Sequence, residues 1–432
     1  MGELASQLAG RVSGLSRVLL PVAAVPFVVA GFGRLDFAAA YTRPPSVYNR
    51  DFSQDYLLAR AIVGRVDPTL PLHALASRFD LPIDYSLQLA PTPHPPTVGL
   101  LLSPLALVDL PTAAAIWLAV SVLCLLASVV LLARLIDLPL QAWQVGAIVM
   151  ALLSWFPVFW GLNVGQVGIL LLPLTAGAVI SLKVGRPGLA GVLLGLTMLV
   201  KEIMWPVLLL FLVARNWRAL VASLFTTAAG YLAALLVVGP AAMARYFLTV
   251  PSVVTAQFEP VWVNLSLFSV GWRVFGGVRN WAGKLTMSPL IDAPWLVTPA
   301  SIAVVAAALI WALLQVRRAR SSVTGATVMV CVSILVSPIT WAHYLVLLTI
   351  PAALVGDRLA RQGRHLRQTA LLAFALLLTV PAYDGTGIVA QLQPLWPLPF
   401  AYSLLGMLPT LSTALIAWLV LATDREPGPS SS

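Results

Sequence analysis

The chain has 432 residues, of which 59% are apolar and 10% charged, and its formal net charge is +10. A soluble domain usually has about 45–50% apolar and about 25% charged residues. The composition therefore excludes an ordinary soluble fold and predicts one all-α polytopic membrane domain over residues 1–425, with a short disordered tail at 426–432.

The positive charge does not indicate nucleic-acid binding, because the Lys and Arg residues lie in short clusters between apolar runs. Cys124 and Cys331 lie inside apolar runs and have no CxxC partner, so neither a disulfide framework nor a structural zinc site is predicted. No Walker loop and no GxGxxG motif is present. The sequence thus argues against a nucleotide-driven pump and a dinucleotide enzyme.

The predicted elements begin with an apolar run near 14–33. We interpret it as an uncleaved anchor, since Arg34 and Asp36 follow it and no A-x-A cleavage site closes it. A spanning helix needs roughly 20 apolar residues. On this basis we predict further spans, four of them short, near 112–133, 140–162, 164–182, 188–200, 203–214, 219–239, 296–316, 323–340, 342–356, 368–382 and 398–422.

Basic clusters between these runs set the orientation. The positive-inside rule assigns such clusters to the cytoplasm. About twelve spans then alternate without contradiction, both termini are cytoplasmic, and the segments at about 34–95 and 240–295 are outer loops. The apolar stretch 96–108 is left over, so we interpret it as a re-entrant or interfacial segment on the outer side. The clusters are Lys183/Arg186, Arg215/Arg218, Arg317/Arg318/Arg320 and Arg358/Arg361/Arg364/Arg367.

Polar residues gather at the outer helix ends of this topology. Lys201 interrupts an apolar run, and an ionisable group inside a membrane segment is by default a functional hypothesis. One interpretation is an anion site that holds a lipid-linked phosphate. The other is that Lys201 pairs with Glu202 at the interface or snorkels. The remaining candidates are Asp51, Asp55, His94, Asn163, Gln166, Asn264, Ser266, Ser337, Trp341 and His343.

Asp51 and Asp55 share a helix face if the segment after Asp51 is helical. A carboxylate that acts as a base must lie near its acceptor hydroxyl, which spacing alone does not show. Asp51 as a helix N-cap and Asp55 as an ion-pair partner of Arg60 are the alternatives. His94 in "PTPHPPT" is either aimed by a rigid proline loop or bonded to a loop carbonyl. For His343, the alternative to a site role is a hydrogen-bonded core histidine.

Six blocks carry a resemblance to a known family, in the family's order. They are "DFSQDYLLARAIVGRVDP", "PHPPTVGLLLSPLALVDLPTAAAIW", "NVGQVGILLLPL", "GRPGLAGVLLGLTMLVKEIMWPVLLLFLVARNWRAL", "NLSLFSVGWRVF" and "SPITWAHYLVLL". Together they span about 51–350, and no single block is diagnostic. The ordered set resembles glycosyltransferase family 87, a branch of the GT-C superfamily of membrane enzymes that use polyprenyl-phosphate sugars. Its best-known members are polyprenyl-phosphate-mannose-dependent alpha-mannosyltransferases.

The resemblance has two departures. The family's last block often reads Trp-Asp-His-His, whereas Ala342 and Tyr344 occupy two of those positions here. The contacts with the donor sugar are therefore expected to differ from those of the family. The first loop commonly has an aromatic residue where Asp55 lies, so the resemblance supports Asp51 as the essential loop carboxylate and does not support Asp55.

The resemblance implies a GT-C fold, a plasma-membrane location and an extracytoplasmic active site. It implies transfer of a sugar, mannose first among the candidates, from a polyprenyl-phosphate donor to a lipid-linked glycan or glycolipid, with inversion. Asp51 would be the general base. Lys201, His343 and His94 would bind the donor phosphate or sugar, with Asp55, Asn163, Gln166, Glu202, Asn264 and Trp341 as further contacts. No cofactor and no nucleic acid is implied, and a divalent metal is left open by Asp51 and Asp55.

Two other classes remain. A transporter or flippase of lipid-linked sugars would explain an intramembrane Lys and broken helices, but such proteins commonly show repeated halves, and no repeat is evident here. A membrane scaffold leaves the clustering of polar groups unexplained. Within the enzyme class, arabinofuranose and glucose are the alternative donor sugars.

Overall fold

The computed structural model describes residues 24–83, 90–362, 366–379 and 406–425. The start of the first predicted span and the predicted tail at 426–432 lie outside these residues. The described residues form α-helices with one small antiparallel hairpin. Within these ranges, four helices are long and apolar enough to cross a membrane, or five if one bent pair counts as a single span. The chain is therefore an all-α, multi-pass membrane protein, and the count of about twelve spans stays a prediction.

Residues 24–40 form the first described helix, α1. The helices that follow it, in chain order, are α2 (Asp51–Val63), α3 (Leu72–Arg78), α4 (Pro96–Leu102), α5 (Leu110–Leu135), α6 (Ala142–Ser154), α7 (Phe156–Val164), α8 (Leu171–Lys183), α9 (Pro187–Val200), α10 (Pro206–Val213), α11 (Trp217–Leu248), α12 (Val250–Phe258), α13 (Phe268–Gly271), α14 (Val297–Val316), α15 (Ser322–Val336), α16 (Thr349–Gln362), α17 (Leu366–Leu378) and α18 (Leu408–Arg425).

Short 3-10 turns extend several helices. They are Ser46–Asn49, Ser103–Leu107, Val167–Leu170, Glu202–Met204, Pro294–Leu296 and Ala342–Leu348, and a π-helical turn covers Trp272–Gly276. The hairpin pairs β1 (Val278–Arg279) with β2 (Leu285–Met287). One large apolar cluster joins most of the helices. The core therefore lies between the helices, and a second, small apolar cluster surrounds Tyr246, Val250 and Val254.

Several predicted spans are broken in the structure. The predicted span 140–162 is two helices that meet at an angle of 85°. Trp155 between them is extended, because Pro157 has no N–H to donate to the Leu153 carbonyl and so cannot continue α6. The span predicted at 323–340 ends at Val336, because Pro338 has no N–H to continue the helix. The segment 96–108 is a short helix followed by a 3-10 turn, about 20 Å long in total and too short to cross a bilayer.

Candidate active site

Three helix breaks meet beside the first turn of α2. α7 ends at a left-handed Gly165, α9 ends at an extended Lys201, and α15 ends at an extended Ser337. The 3-10 turn after the last break packs against α7 and against the turn that follows Gly165. Non-helical backbone at membrane depth is tolerated where protein surrounds it or water lines it. The breaks therefore place polar side chains in an otherwise apolar bundle.

A chain of hydrogen bonds joins a carboxylate to an ammonium group across these breaks. The Gln166 side-chain Nε2 donates to Oδ2 of Asp51, and its Oε1 accepts from Nζ of Lys201 at 3.0 Å. Nζ of Lys201 also donates to the Tyr344 hydroxyl at 2.8 Å and lies 4.3 Å from the centre of that ring. One amide therefore bridges the predicted base and the predicted phosphate ligand.

Asp51 is the first residue of α2, and the N-cap position belongs to Arg50. The Asp51 carboxylate is half-buried, and its oxygen accepts a hydrogen bond from Gln166 of another helix break. Burial raises the pKa of Asp51, while the hydrogen bond from Gln166 and the charge of Lys201 oppose this rise. The carboxyl group therefore has the environment expected of a general base rather than of a surface cap.

Lys201 and Glu202 do not pair with each other. Lys201 is extended (φ −156°, ψ 133°), and successive side chains of extended backbone point in opposite directions. Glu202 accepts hydrogen bonds from the hydroxyls of Tyr231 and Tyr246 of α11, at 2.5 and 2.8 Å. The two charges therefore have separate partners. Lys201 lies in the site, and Glu202 anchors α11.

Asp55 pairs with His94 rather than with Arg60. Oδ1 of Asp55 contacts Nδ1 of His94, and both side chains are buried. Oδ2 of Asp55 has no hydrogen-bond partner among the described residues. Arg60 instead donates to the carbonyl of Ala106. Asp55 is not supported by the family resemblance as a catalytic carboxylate. It is instead the partner of His94, which the resemblance implies as a donor ligand.

His343 is buried with both ring nitrogens free of hydrogen bonds to other described residues. It is therefore not the hydrogen-bonded core histidine that we considered as an alternative. Its ring meets that of Tyr344 edge-on at 4.6 Å, and Gly161 and Gly168 flank it. A buried polar group without a partner costs free energy, so it requires an explanation. A ligand that supplies the missing hydrogen bonds is such an explanation.

The other predicted contacts divide into two groups. Oδ1 of Asn163 accepts from Nη2 of Arg50 at 2.8 Å, beside Asp51. Among the described residues, the side-chain amide of Asn264 bonds only backbone groups. Its oxygen accepts from the N–H groups of Ser266 and Thr340, and its nitrogen donates to the carbonyls of Glu259 and Pro338. The structure thus places Asn163 beside the site, whereas Asn264 holds the turn that precedes His343.

Trp341 lies at the edge of the site, where its ring packs against Trp281 at 5.4 Å and against Phe258 at 6.1 Å. Ser266 donates to the Pro338 carbonyl at 3.0 Å and fastens the same turn as Asn264. The Ser337 hydroxyl is bonded within that turn, to the carbonyl of Ile339.

Sequence reasoning missed two members of the site. Arg50 is mostly buried, donates to Asn163 and lies over the Tyr41 ring at 4.2 Å. Tyr344 was noted only as a departure from the family pattern, yet it is a hydrogen-bond partner of Lys201. Each of the two is adjacent to a predicted residue, namely Asp51 and His343. That adjacency was the available signal.

Gly165→Ala is expected to destabilise the protein more than Gly185→Ala. Both glycines have left-handed backbone, at φ +70° and +71°, which costs a residue with a Cβ about 1–2 kcal/mol. A Cβ at 165 would also lie 2.6 Å from Cβ of Phe52, next to Asp51, whereas nothing lies within 4 Å at 185. Thermal unfolding of both variants in detergent measures the difference. Equal losses of stability would contradict this packing.

No three His, Cys, Asp or Glu side chains of the described ranges come together in a way that could hold a metal ion. Comparison with family models gives a match to glycosyltransferase family 87 over residues 93–338. Searches of curated proteins and of solved structures find no match to this chain. The family match confirms the resemblance to this family and covers more than half of the chain, although it begins after the block with Asp51 and ends before His343.

Proposed function

This chain belongs to glycosyltransferase family 87, and from that premise we propose that it transfers a sugar, with mannose the first candidate, from a polyprenyl-phosphate donor to a lipid-anchored glycan or glycolipid. The reaction takes place on the extracytoplasmic face of the plasma membrane. The observation that carries the proposal is the Asp51–Gln166–Lys201 chain, which holds a base and a cation on one bridging amide.

Asp51 accepts the proton of an acceptor hydroxyl, and the hydroxyl oxygen forms a bond to the anomeric carbon of the donor. The bond from that carbon to the phosphate oxygen breaks, and polyprenyl phosphate leaves with the electron pair. One displacement inverts the anomeric centre, so a beta-linked donor gives an alpha product. The half-buried carboxylate with its raised pKa supports this role, because a general base works best when its pKa approaches the working pH.

Lys201 stabilises the charge that grows on the leaving phosphate. An ammonium group has three N–H donors, and Gln166 and Tyr344 accept from it. The remaining donor is available to a phosphate oxygen. A preorganised cation of this kind, shielded from water, favours the transition state over the ground state. His343 lies close to this charge and to His94, and the ring nitrogens of His343, which have no partner among the described residues, suit hydrogen bonds to the phosphate or the sugar.

The lipid nature of the donor agrees with the architecture. The anomeric carbon of a lipid-linked donor is confined to the membrane surface. A site among helix breaks can therefore bind the donor, and no soluble nucleotide-sugar domain is needed. The test uses purified, reconstituted protein with radiolabelled polyprenyl-phosphate mannose and a lipid extract of the native cell. Label in a new glycolipid supports the proposal. Transfer only from polyprenyl-phosphate arabinofuranose would mean that arabinofuranose, and not mannose, is the donor sugar. Uptake of donor across the bilayer, with no bond formed from either donor, would favour a flippase.

The pH profile of transfer should show an acid limb whose midpoint lies above the ordinary Asp value of 3.8. The protonated carboxyl cannot accept a proton, so kcat/KM falls as the pH drops through the raised pKa of Asp51. Gln166→Leu removes a hydrogen bond that stabilises the carboxylate and should move the limb to higher pH. A limb that stays in place in this variant would argue that another group sets the profile.

A further inference from the structure

A surface groove of about 740 Å³ lies at the opposite end of α2 from Asp51. Side chains from 62–68, 236–242 and Arg245 form it, and we call it the kink groove. Because α2 has 13 residues, its two ends are about 18 Å apart. The groove is therefore separate from the proposed active site, and none of the residues assigned to catalysis lines it.

The groove owes its shape to a break in α11. Gly239 has φ 83° and ψ 163°, which is not helical, and Pro240 follows it. A Pro has no N–H to continue the helix, so the axis turns at this point. The part of α11 before the break, from 217 to 238, is about 33 Å long, which is enough to cross a bilayer core. The kink therefore lies where this span reaches the membrane surface.

The rim of the groove carries an excess of positive charge. Nη2 of Arg245 pairs with Oδ2 of Asp67 at 2.5 Å, and Nε of Arg245 donates to Thr69 at 3.0 Å. Arg65 is exposed, and its guanidinium group has no hydrogen bond or ion pair with another described residue. Since the charge of Asp67 offsets that of Arg245, the charge of Arg65 is left uncompensated. An anion that enters the groove meets both guanidinium groups.

The wall of the groove is apolar and exposed. Leu236 is 79% exposed, Val237 is 56% exposed, and Val63 on α2 is 46% exposed. Apolar side chains with this exposure at the end of a membrane span face lipid chains. The groove thus has an apolar wall toward the bilayer and arginines toward the headgroup layer. This is the complement of an amphiphile with an anionic head.

We propose that the kink groove binds an anionic phospholipid, whose phosphate contacts Arg65 and Arg245 and whose acyl chains lie along Leu236 and Val237. Basic side chains near a membrane surface each attract anionic lipid by a modest free energy. The site is a lipid-binding site distinct from the donor and acceptor sites of the transferase. Occupancy by such a lipid fills the angle between α2 and α11 and braces the end of the helix that begins at Asp51.

The test measures lipid binding to the purified full-length chain by native mass spectrometry. The delipidated protein is titrated with phosphatidylglycerol or with phosphatidylcholine of the same acyl chains. Wild type should bind one phosphatidylglycerol more tightly than phosphatidylcholine, and Arg65→Gln should weaken that preference by about fivefold. Arg78→Gln is the matched control, because Arg78 is an exposed arginine of the same predicted loop and does not line the groove.

Asp67→Asn gives the sharper outcome. It breaks the ion pair with Arg245 yet removes the negative charge from the rim, so binding of phosphatidylglycerol should become tighter. If the ion pair only supported the fold, this variant would bind more weakly, and that result would overturn the proposal. Three further results would also overturn it: equal binding of the two lipids by wild type, an equal effect of Arg78→Gln, or inorganic phosphate alone competing as well as phosphatidylglycerol. None of these results depends on whether the chain transfers a sugar.

Discussion

Asp51→Asn should lower the rate of sugar transfer by about 10²–10⁴-fold, the range that general-base catalysis contributes. The amide has nearly the shape of the carboxylate but cannot accept the proton of the acceptor hydroxyl. Donor binding should change little, because Lys201 keeps Tyr344 as a partner. Single-turnover transfer from radiolabelled donor in reconstituted membranes measures the chemical step, and thermal unfolding checks that the variant is folded.

Asp80→Asn is the matched control for this substitution. Asp80 is an exposed residue of the same predicted outer loop, with a φ of +53° that Asn adopts readily. It should transfer sugar at the wild-type rate. If Asp51→Asn also transferred sugar at that rate, the base would have to be another group. Asp55 would be examined first, since one of its oxygens is buried without a hydrogen-bond partner.

Lys201→Met should reduce kcat by about 10²–10³-fold, the loss seen when one preorganised stabilising group is removed from a site. Met keeps much of the volume of the Lys stem but has no charge for the leaving phosphate. Because the charge on that phosphate grows toward the transition state, kcat should fall more than KM rises. Steady-state transfer over a range of donor concentrations separates the two.

Tyr344→Phe tests whether the rate depends on the charge of Lys201 or on its hydrogen bond to Tyr344. The variant removes the hydroxyl 2.8 Å from Nζ but keeps the ring that lies 4.3 Å from it. We expect a loss of less than about tenfold, since the ammonium group and its contact with the ring face both remain. Equal losses in Lys201→Met and Tyr344→Phe would mean that the hydrogen-bonded network, and not the cation, limits the reaction.

The sequence located the helix breaks because Pro and Gly act locally on the backbone. The span predicted to end at residue 239 turns at Gly239, and Lys201 was predicted to interrupt its run. The bend at Trp155 was missed, although Pro157 marks it, because the apolar run continues through it without a charged residue. Hydropathy thus gives the length of an apolar segment but does not show where the helix axis bends.

The pairing of the polar residues could not be predicted in the same way. Gln166 was considered only as a possible substrate contact, whereas it bridges Asp51 and Lys201 over separations of 115 and 35 residues. Asp55 was assigned Arg60 as its alternative partner because the two are close in sequence. His94, 39 residues away, takes that place. Such contacts depend on how helices pack, which the spacing of residues in one sequence does not reveal.

The extended backbone at Lys201 determines the sign of the electric field at the site. Lys201 and Glu202 are chemically opposite and adjacent, and only the direction of each side chain decides which one lies beside Gln166 in the candidate site. Deleting one residue of α9 before this pair would move Glu into the extended position that faces Gln166 and Ile into the position that faces Tyr246. The site would then repel an anion such as the proposed donor phosphate. The charge that the site presents is thus a property of a single residue's register.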